Sequence, residues 1–409
     1  MSEAPLGTTL WVDTASVAGA QALFGLPPLE RLRRSLGKPD ADVAVTLSGP
    51  APAPTAWPGA RRAESSAALG TRLRAALADG PLVALAGANV IDPRLIGFLL
   101  RSARSAVAAR GSGAARAVAL RLDPALADVI PPAARTLAEV ADALLAAGHI
   151  EPVDEREFPS YVNKLRRSLP YWLHAVGDVA ARRRLKRQMF WDNYKGSTDL
   201  LTRWVYPPLV WPLTRFCTRF GIHPNTVTVL SIVLCFAAVP LFAAGDFVAG
   251  FLCAYGMSVL DSVDGKVARV TLTDSAIGNV LDHGLDQIHP PFWYLAWAWG
   301  LGAHTWSDPL YQAAVWLIVF YFGDRIVLGI AKYRLGFALH AATRLDGRVR
   351  SFIARRNITM TIMALALLFG VGPAGFYLVT AWQGLTFAWH SVRTLWLGFL
   401  SPRQASPAA

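Results

Sequence analysis

Glutamate is absent from residue 196 onward, where the chain carries 15 basic and 10 acidic side chains, every acid an aspartate. Charge of either sign is scarce throughout: only 17% of the 409 residues are Asp, Glu, Lys or Arg, against roughly a quarter in soluble domains. With 53% hydrophobic residues and a mean hydropathy of +0.34, the chain is neither disordered nor collagenous, and it does not read as one uniform soluble enzyme. Cysteine is nearly lacking. Cys217, Cys235 and Cys253 stand in apolar surroundings without a CxxC or Cys/His spacing, which supports neither a disulfide framework nor a zinc site and leaves them as small buried hydrophobes. No cationic stretch followed by an apolar one opens the sequence, so the N-terminus is expected to stay in the cytoplasm.

What is present falls into three segments. Over residues 1–150, the runs TLWVDTA, DVAVTLSG, PLVALAGANV and AARAVALRL read as strands; PPLERLRRSL, LGTRLRAALADG, DPRLIGFLLRSARSA and PPAARTLAEVADALLAAG read as helices. This alternation predicts a three-layer, Rossmann-like α/β domain with a mostly parallel sheet. Asp92 and Pro93 suit an N-cap and the first helical position, and Pro27 and Pro28 a first turn. Residues 151–200 read as basic amphipathic linker helices, with Arg182, Arg183, Arg184, Lys186 and Arg187 in one short stretch. Such a patch binds nucleic acid or anionic lipid, and the apolar segments that follow favour lipid.

From 201 to 409 the apolar runs fall at about 226–245, 247–261, 276–300, 309–331, 358–373 and 375–399. They predict an α-helical integral membrane domain of six transmembrane helices. The connection after the fourth run carries Lys332, Arg334, Arg344, Arg348, Arg350, Arg355 and Arg356, whereas the alternate connections near Gly245, Trp306 and Gly372 carry no Lys or Arg. Both termini are therefore expected on the cytoplasmic side of the cell membrane, since cytoplasmic loops are the basic ones. Trp293, Trp297, Trp299 and Trp306 are read as an aromatic belt at the outer interface. The net charge of +12 thus marks topology and a bilayer with anionic lipids, with no nucleic-acid partner.

The decisive feature is four aspartates. Asp261 and Asp264 lie three apart at the end of the second run, and Asp282 and Asp286 four apart at the start of the third, so each pair shares a helix face. Carboxylates crowded beside a membrane repel one another and ionise reluctantly unless cations neutralise them. All-oxygen ligands select hard ions, Mg²⁺ or Mn²⁺, and a two-metal site suits in-line displacement at phosphorus. Gly265 would let a bulky ligand approach the backbone, Ala268 keeps the volume small, Gly278 would let the next helix pack closely, and Arg269 can reach a phosphate oxygen. His283 is read as packing rather than substrate contact, and Lys266 as a solvated loop charge. Asp324 and Arg325 interrupt the fourth run, where the charge of Arg325 needs a job or a partner; Lys332 and Arg334 suit either positive-inside anchoring or an acceptor carrying a phosphate.

The pattern D-x2-D-G-x2-A-R-x8-G-x3-D-x3-D, borne by Asp261, Asp264, Gly265, Ala268, Arg269, Gly278, Asp282 and Asp286, resembles the signature of the CDP-alcohol phosphotransferases. The resemblance covers about residues 200–409 and includes HPNTVT (His223 to Thr228) before the first membrane helix. It implies that Asp261, Asp264 and Asp282 bind the metals, with Asp286 sharing in metal binding or acting as the catalytic base. It implies further that Asp261, Gly265, Ala268, Arg269 and Gly278 border the cytidine diphosphate, that the site opens to the cytoplasm, and that an acceptor hydroxyl attacks a CDP-alcohol to release CMP. CDP-diacylglycerol is the expected donor and a polyol phosphate the expected acceptor, with Arg325, Lys332 and Arg334 as acceptor-binding candidates; a homodimer is expected. The first 150 residues are similar to sugar-phosphate nucleotidyltransferases, which adds CDP-inositol as an alternative donor. They lack that family's glycine-rich loop, and Ala88 stands where it places a metal-binding Asp after Gly87, so a degenerate, inactive domain is expected. A cation-coupled transporter is the rival from another class; carboxylates spread along broken helices would favour it, and this cluster sits at one membrane face.

Overall fold

The alternating apolar runs of the first half fold as strands and helices around one sheet. The computed structural model describes residues 7–17, 21–36, 43–49, 57–112, 116–162, 165, 167–176, 179–194, 199–273 and 276–400, excepting the side chains of 276–283, 285 and 286. The chain divides into one unit of Met1–Asn163, Ser168–Asn193 and Val270–Leu272 and a second of Lys164–Arg167, Tyr194–Arg269 and Thr273–Ala409.

In the first unit, strands β1 (Thr9–Asp13), β2 (Val45–Gly49), β3 (Arg61–Glu64), β4 (Leu82–Ala86), β6 (Ala106–Arg110), β7 (Ala117–Leu122) and β8 (Glu151–Pro152) form a seven-stranded sheet ordered β3-β2-β1-β4-β7-β6-β8. β5 (Asn89–Ile91) pairs instead with β9 (Leu173–Ala175). Strands β3, β2, β1 and β4 are mutually parallel, and β7 joins β4 antiparallel. Helices α1 (Pro28–Ser35), α2 (Leu69–Leu77), α3 (Pro93–Arg101) and α4 (Leu137–Ala146) cover the two faces. The period-2 alternation of β1 decides the layers: Leu10 and Val12 join Leu29, Leu32, Leu95 and Leu99 on one face. Trp11 joins Leu69, Leu73, Leu137 and Leu144 on the other.

Asp92 caps α3, accepting from the Arg94 amide at 2.9 Å. The helix expected over 92–106 stops at Arg101, and Ala106–Arg110 is a strand. Ser102 turns extended, and its hydroxyl bonds the carbonyl and amide of Arg104, a local alternative to another helical turn. The described residues from 151 to 176 hold no helix; α5 (Val179–Asp192) carries the basic stretch, with Arg183, Arg184 and Arg187 exposed.

The second unit is helical: α6 (Pro207–Arg219), α7 (Pro224–Ala243), α8 (Phe247–Thr271), α9 (Ala276–Gly300), α10 (Pro309–Leu335), α11 (Arg344–Val349), α12 (Arg356–Leu368) and α13 (Gly372–Leu395). Among the described residues, α7, α8 and α10 are long and apolar enough to cross a membrane, and α12 is a shorter apolar helix. α7 and α9 approach closely because Gly300 has no side chain; a Cβ there would meet the Phe242 carbonyl at 2.0 Å. The expected aromatic belt is corrected in part. Trp293 and Trp297 point into the core, edge-on to Phe242, with Trp293 Nε1 donating to the Cys235 carbonyl at 3.0 Å. Their spacing of four puts both on the inward face of α9, and of the four tryptophans Trp299 and Trp306 are the exposed ones. Cys217 and Cys235 are buried and Cys253 half-buried, all three as thiols.

Candidate active site

The last turns of α8 bring Asp261, Asp264, Gly265 and Arg269 together on one helix, as the spacing predicts. Asp264 is 6% exposed. Its Oδ2 accepts from the Thr228 hydroxyl on α7 at 2.6 Å, and its Oδ1 from the Gly265 amide at 2.5 Å. Thr228 Oγ1 also lies 3.2 Å from the Pro224 carbonyl. A hydroxyl has one proton, and the shorter contact to the carboxylate takes it. Asp261 Oδ2 accepts from Arg356 Nη2, at the start of α12, at 2.8 Å. Both carboxylates are thus held in defined rotamers by partners from two other helices.

Gly265 leaves its surface to Arg269: a Cβ there would lie 3.1 Å from Nη1 and 3.3 Å from Nη2. The glycine and the arginine are therefore one feature, a guanidinium laid along bare backbone. Lys266 departs from its expected place as a solvated loop charge. It is helical and 3% exposed, with Nζ 3.1 Å from the centre of the Tyr194 ring; burial pushes the Tyr194 hydroxyl up to about 12. An ammonium over a ring face is a favourable way to bury that charge.

A further polar cluster continues from Arg356. Asn357 Nδ2 donates to Asp199 Oδ1 at 3.2 Å and Oδ2 at 3.3 Å, and to Thr202 Oγ1 at 3.2 Å. Its Oδ1 accepts from Ser258 Oγ at 2.6 Å and faces the Tyr206 hydroxyl at 3.3 Å. Arg355 lies 3.6 Å from Asp199. Burial works to raise the Asp199 carboxyl, but Arg355 and the bonds from Thr202 and Asn357 outweigh it and hold the group below its ordinary value. Sequence reasoning missed Ser258, Asp199, Tyr206 and Asn357 altogether; it named Thr228 only as the last residue of HPNTVT, without a partner, and read Arg355 and Arg356 only as positive-inside anchors. The signal available was polar side chains, Ser258 and Asn357, set in otherwise apolar runs.

The other expected residues lie as follows. Ala268 is half-buried on α8. Asp282, Asp286 and Gly278 belong to the first turns of α9, and with His283 their side chains lie outside the described residues. Lys332 and Arg334 are exposed at the end of α10, with Arg334 over the Phe399 ring. Arg325 has a side chain 39% exposed and covers the Tyr321 ring, so of the two polar residues that interrupt α10 it is Asp324 that is buried. Asp324, 1% exposed, pairs with His390 Nδ1 at 2.5 Å.

In the first unit, the carboxyl ends of the paired strands β1 and β4, the usual ligand position of such sheets, are occupied by the protein itself. Arg72 bonds Asp13 Oδ1 at 2.8 Å and Ser48 Oγ at 3.1 Å, both arms of the Arg72–Asp13 pair being 6% exposed. A Cβ on Gly87 would meet Val17 at 2.8 Å and the Asp13 carbonyl at 3.0 Å.

Comparison with known proteins bears on the second unit. Residues 221–396 match the model of the CDP-alcohol phosphatidyltransferase family. Cholinephosphotransferase 1 of Gallus gallus is 30% identical over 164 residues, 37% of this chain and 48% of that protein. Phosphatidylinositol phosphate synthase of Mycobacterium tuberculosis is 28% identical over 120 residues, 29% of this chain and 55% of that protein. The chain spans about half the length of the curated relatives it matches. The crystal structure of the M. tuberculosis synthase with CDP-DAG bound superposes with a TM-score of 0.39 at 20% identity, over 47% of this chain and 96% of that one. The aspartates of α8 and α9 lie within the segment, residues 221–396, that matches the family model.

Proposed function

We propose that the protein is a membrane phosphotransferase of the EC 2.7.8 type, which moves a substituted phosphate from a CDP-alcohol to an alcohol acceptor in phospholipid biosynthesis. The observation that carries the reading is the uninterrupted aspartate motif with its first pair held in place by Thr228 and Arg356. The donor set suits hard divalent cations: the four motif positions Asp261, Asp264, Asp282 and Asp286 offer carboxylate oxygens only, with no thiolate or imidazole among them. Asp261, Asp264, Asp282 and Asp286 would hold two Mg²⁺ or Mn²⁺ ions, which supply charge neutralisation at the diphosphate.

The chain's own residues do the rest. Arg269, beside Ala268, binds a phosphate oxygen of the donor, and the missing side chain at Gly265 leaves room for that guanidinium; Gly265 and Gly278 border the cytidine diphosphate. Asp286 takes the proton of the acceptor hydroxyl. The acceptor oxygen then bonds to the β-phosphorus, the bond from that phosphorus to the bridging oxygen breaks, and CMP leaves with the electron pair. The donor is CDP-diacylglycerol and the acceptor a polyol phosphate, whose phosphate would meet Arg325, Lys332 and Arg334.

The remaining architecture follows from hydropathy and charge. Six helices span the cell membrane, with both termini and the site on the cytoplasmic side, and the enzyme is a homodimer in a bilayer whose anionic lipids meet the basic helix α5. Residues 1–150 form a degenerate nucleotidyltransferase-like domain, a reading supported by the Arg72–Asp13 pair at the carboxyl end of β1. Membranes containing the protein, supplied with Mn²⁺ or Mg²⁺, CDP-diacylglycerol and a panel of acceptors, should yield one new phospholipid by mass spectrometry. Lipid products with none of the polyol phosphates would overturn the acceptor class.

A further inference from the structure

The hydrogen bonds around Asn357 have a fixed direction. Both oxygens of Asp199 can only accept, so the Asn357 amide nitrogen faces Asp199 and its oxygen faces Ser258. Ser258 spends its one proton on Asn357, 2.6 Å away, and its oxygen is left to accept. The Tyr206 hydroxyl lies 3.1 Å from that oxygen and Arg356 Nη2 3.4 Å from it. The same Nη2 donates to Asp261 at 2.8 Å. One guanidinium nitrogen, with its two protons, is therefore shared between Ser258 and Asp261. Ser258 is one helical turn before Asp261 on α8, and Arg356 adjoins Asn357 on α12.

The members are deeply buried: Ser258 is 0% exposed, Tyr206 2%, Asp199 3% and Asn357 6%. At that depth a reversed amide would leave two carboxylate oxygens facing a carbonyl, so no second arrangement competes. We propose that Asn357, acting through Ser258 and Arg356, is a positioning residue that fixes the rotamer of Asp261 for divalent-cation binding, with Asp199 as the anchor that sets the direction of the chain. The proposal rests on the reading of Asp261 as a metal ligand. It adds a supporting shell that starts in the segment before α6 and reaches the motif through α12. Outer partners of this kind typically change metal affinity about 10–100-fold when lost.

The test uses the full chain, purified in detergent, with Mn²⁺ binding followed by electron paramagnetic resonance of the free ion. Ser258→Ala and Asn357→Leu should each weaken Mn²⁺ binding at least about tenfold. The double variant should be no weaker than Asn357→Leu alone, because both act on one chain of bonds. Ser258→Ala removes a single small hydroxyl and should lower the thermal midpoint measured without metal only modestly, keeping the wild-type helical content by circular dichroism; should Asn357→Leu fail to fold, Ser258→Ala carries the comparison. CMP release by Ser258→Ala should recover on raising Mn²⁺ in proportion to the lost affinity, a rescue that a merely structural role would not give. Wild-type Mn²⁺ binding in folded Ser258→Ala, or a loss that excess Mn²⁺ does not restore, would overturn the proposal and leave the enzymatic reading intact. Failure of the wild-type protein to bind Mn²⁺ at all would overturn both.

Discussion

Replacing Thr228 with valine removes one hydroxyl at nearly constant volume and tests how the first aspartate pair is prepared. Thr228 is 5% exposed and Asp264 6%, so no bulk water stands ready to replace the bond at 2.6 Å. A hydrogen bond to a charged group contributes about 1.5–3 kcal/mol, and the cost is greater when the acceptor is left buried and unsatisfied. At about 1.4 kcal/mol per factor of ten, Thr228→Val should lower kcat/KM for CMP release about 10- to 100-fold. Thr228→Ser, which keeps the donor, should stay within about threefold, well under the 1.4 kcal/mol that a factor of ten represents. The assay is release of CMP from CDP-diacylglycerol by protein in detergent, with circular dichroism to confirm the helical content of each variant. A folded Thr228→Val with wild-type kcat/KM would show that the Asp264 rotamer does not matter to the reaction and would refute this account of the α7–α8 contact.

Other consequences are equally direct. Gly265→Ala places a Cβ about 3.1 Å from Arg269 Nη1, so the guanidinium must move; KM for the CDP-alcohol should rise several-fold with little change in thermal stability, and an unchanged KM would detach Arg269 from donor binding. In the first unit, Arg72→Met leaves Asp13 buried without its cation, a loss of about 3–5 kcal/mol; hydrogen exchange of the β1 amides should accelerate, and Asp13→Asn in the same chain should restore part of the protection. Asp199 gives a pH dependence on the acid side. Its carboxyl is held below the ordinary value of 3.8, so its contribution to stability is complete above that value and is lost as pH falls through the lower, native one. Asp199→Asn should be less stable than wild type at neutral pH, and the difference should shrink below about pH 4; a constant difference across that range would argue against the ion pair with Arg355.

Much of this was legible because it rests on local periodicity. The alternation in β1 sets two core faces of the sheet, and Asp92 before Pro93 marks the start of α3. The three-residue spacing of Asp261 and Asp264 places both on one face of α8. What was not legible depends on partners distant in sequence. Nothing near Asp261 announces Arg356, 95 positions later, and nothing near Asp199 announces Asn357, 158 positions later. Trp293 and Trp297 were misread because tryptophan suits both a membrane interface and a packed helix junction, and composition does not separate the two. Lys266 was misplaced for a related reason: a charged residue beside a glycine reads as a loop, whereas α8 runs on through it to Thr271 and buries the amine against Tyr194.

The central claim is that the aspartate motif transfers a substituted phosphate from a CDP-alcohol. It is tested most directly by measuring CMP release from CDP-diacylglycerol with and without divalent metal, in wild-type protein and in Asp286→Asn inserted equally well into membranes. The account predicts release that requires Mg²⁺ or Mn²⁺ and an acceptor, stops with chelator, and is abolished in Asp286→Asn. Full activity of the Asp286→Asn protein would contradict the role of Asp286 as base, and absence of metal-dependent CMP release from any CDP-alcohol would contradict the account as a whole.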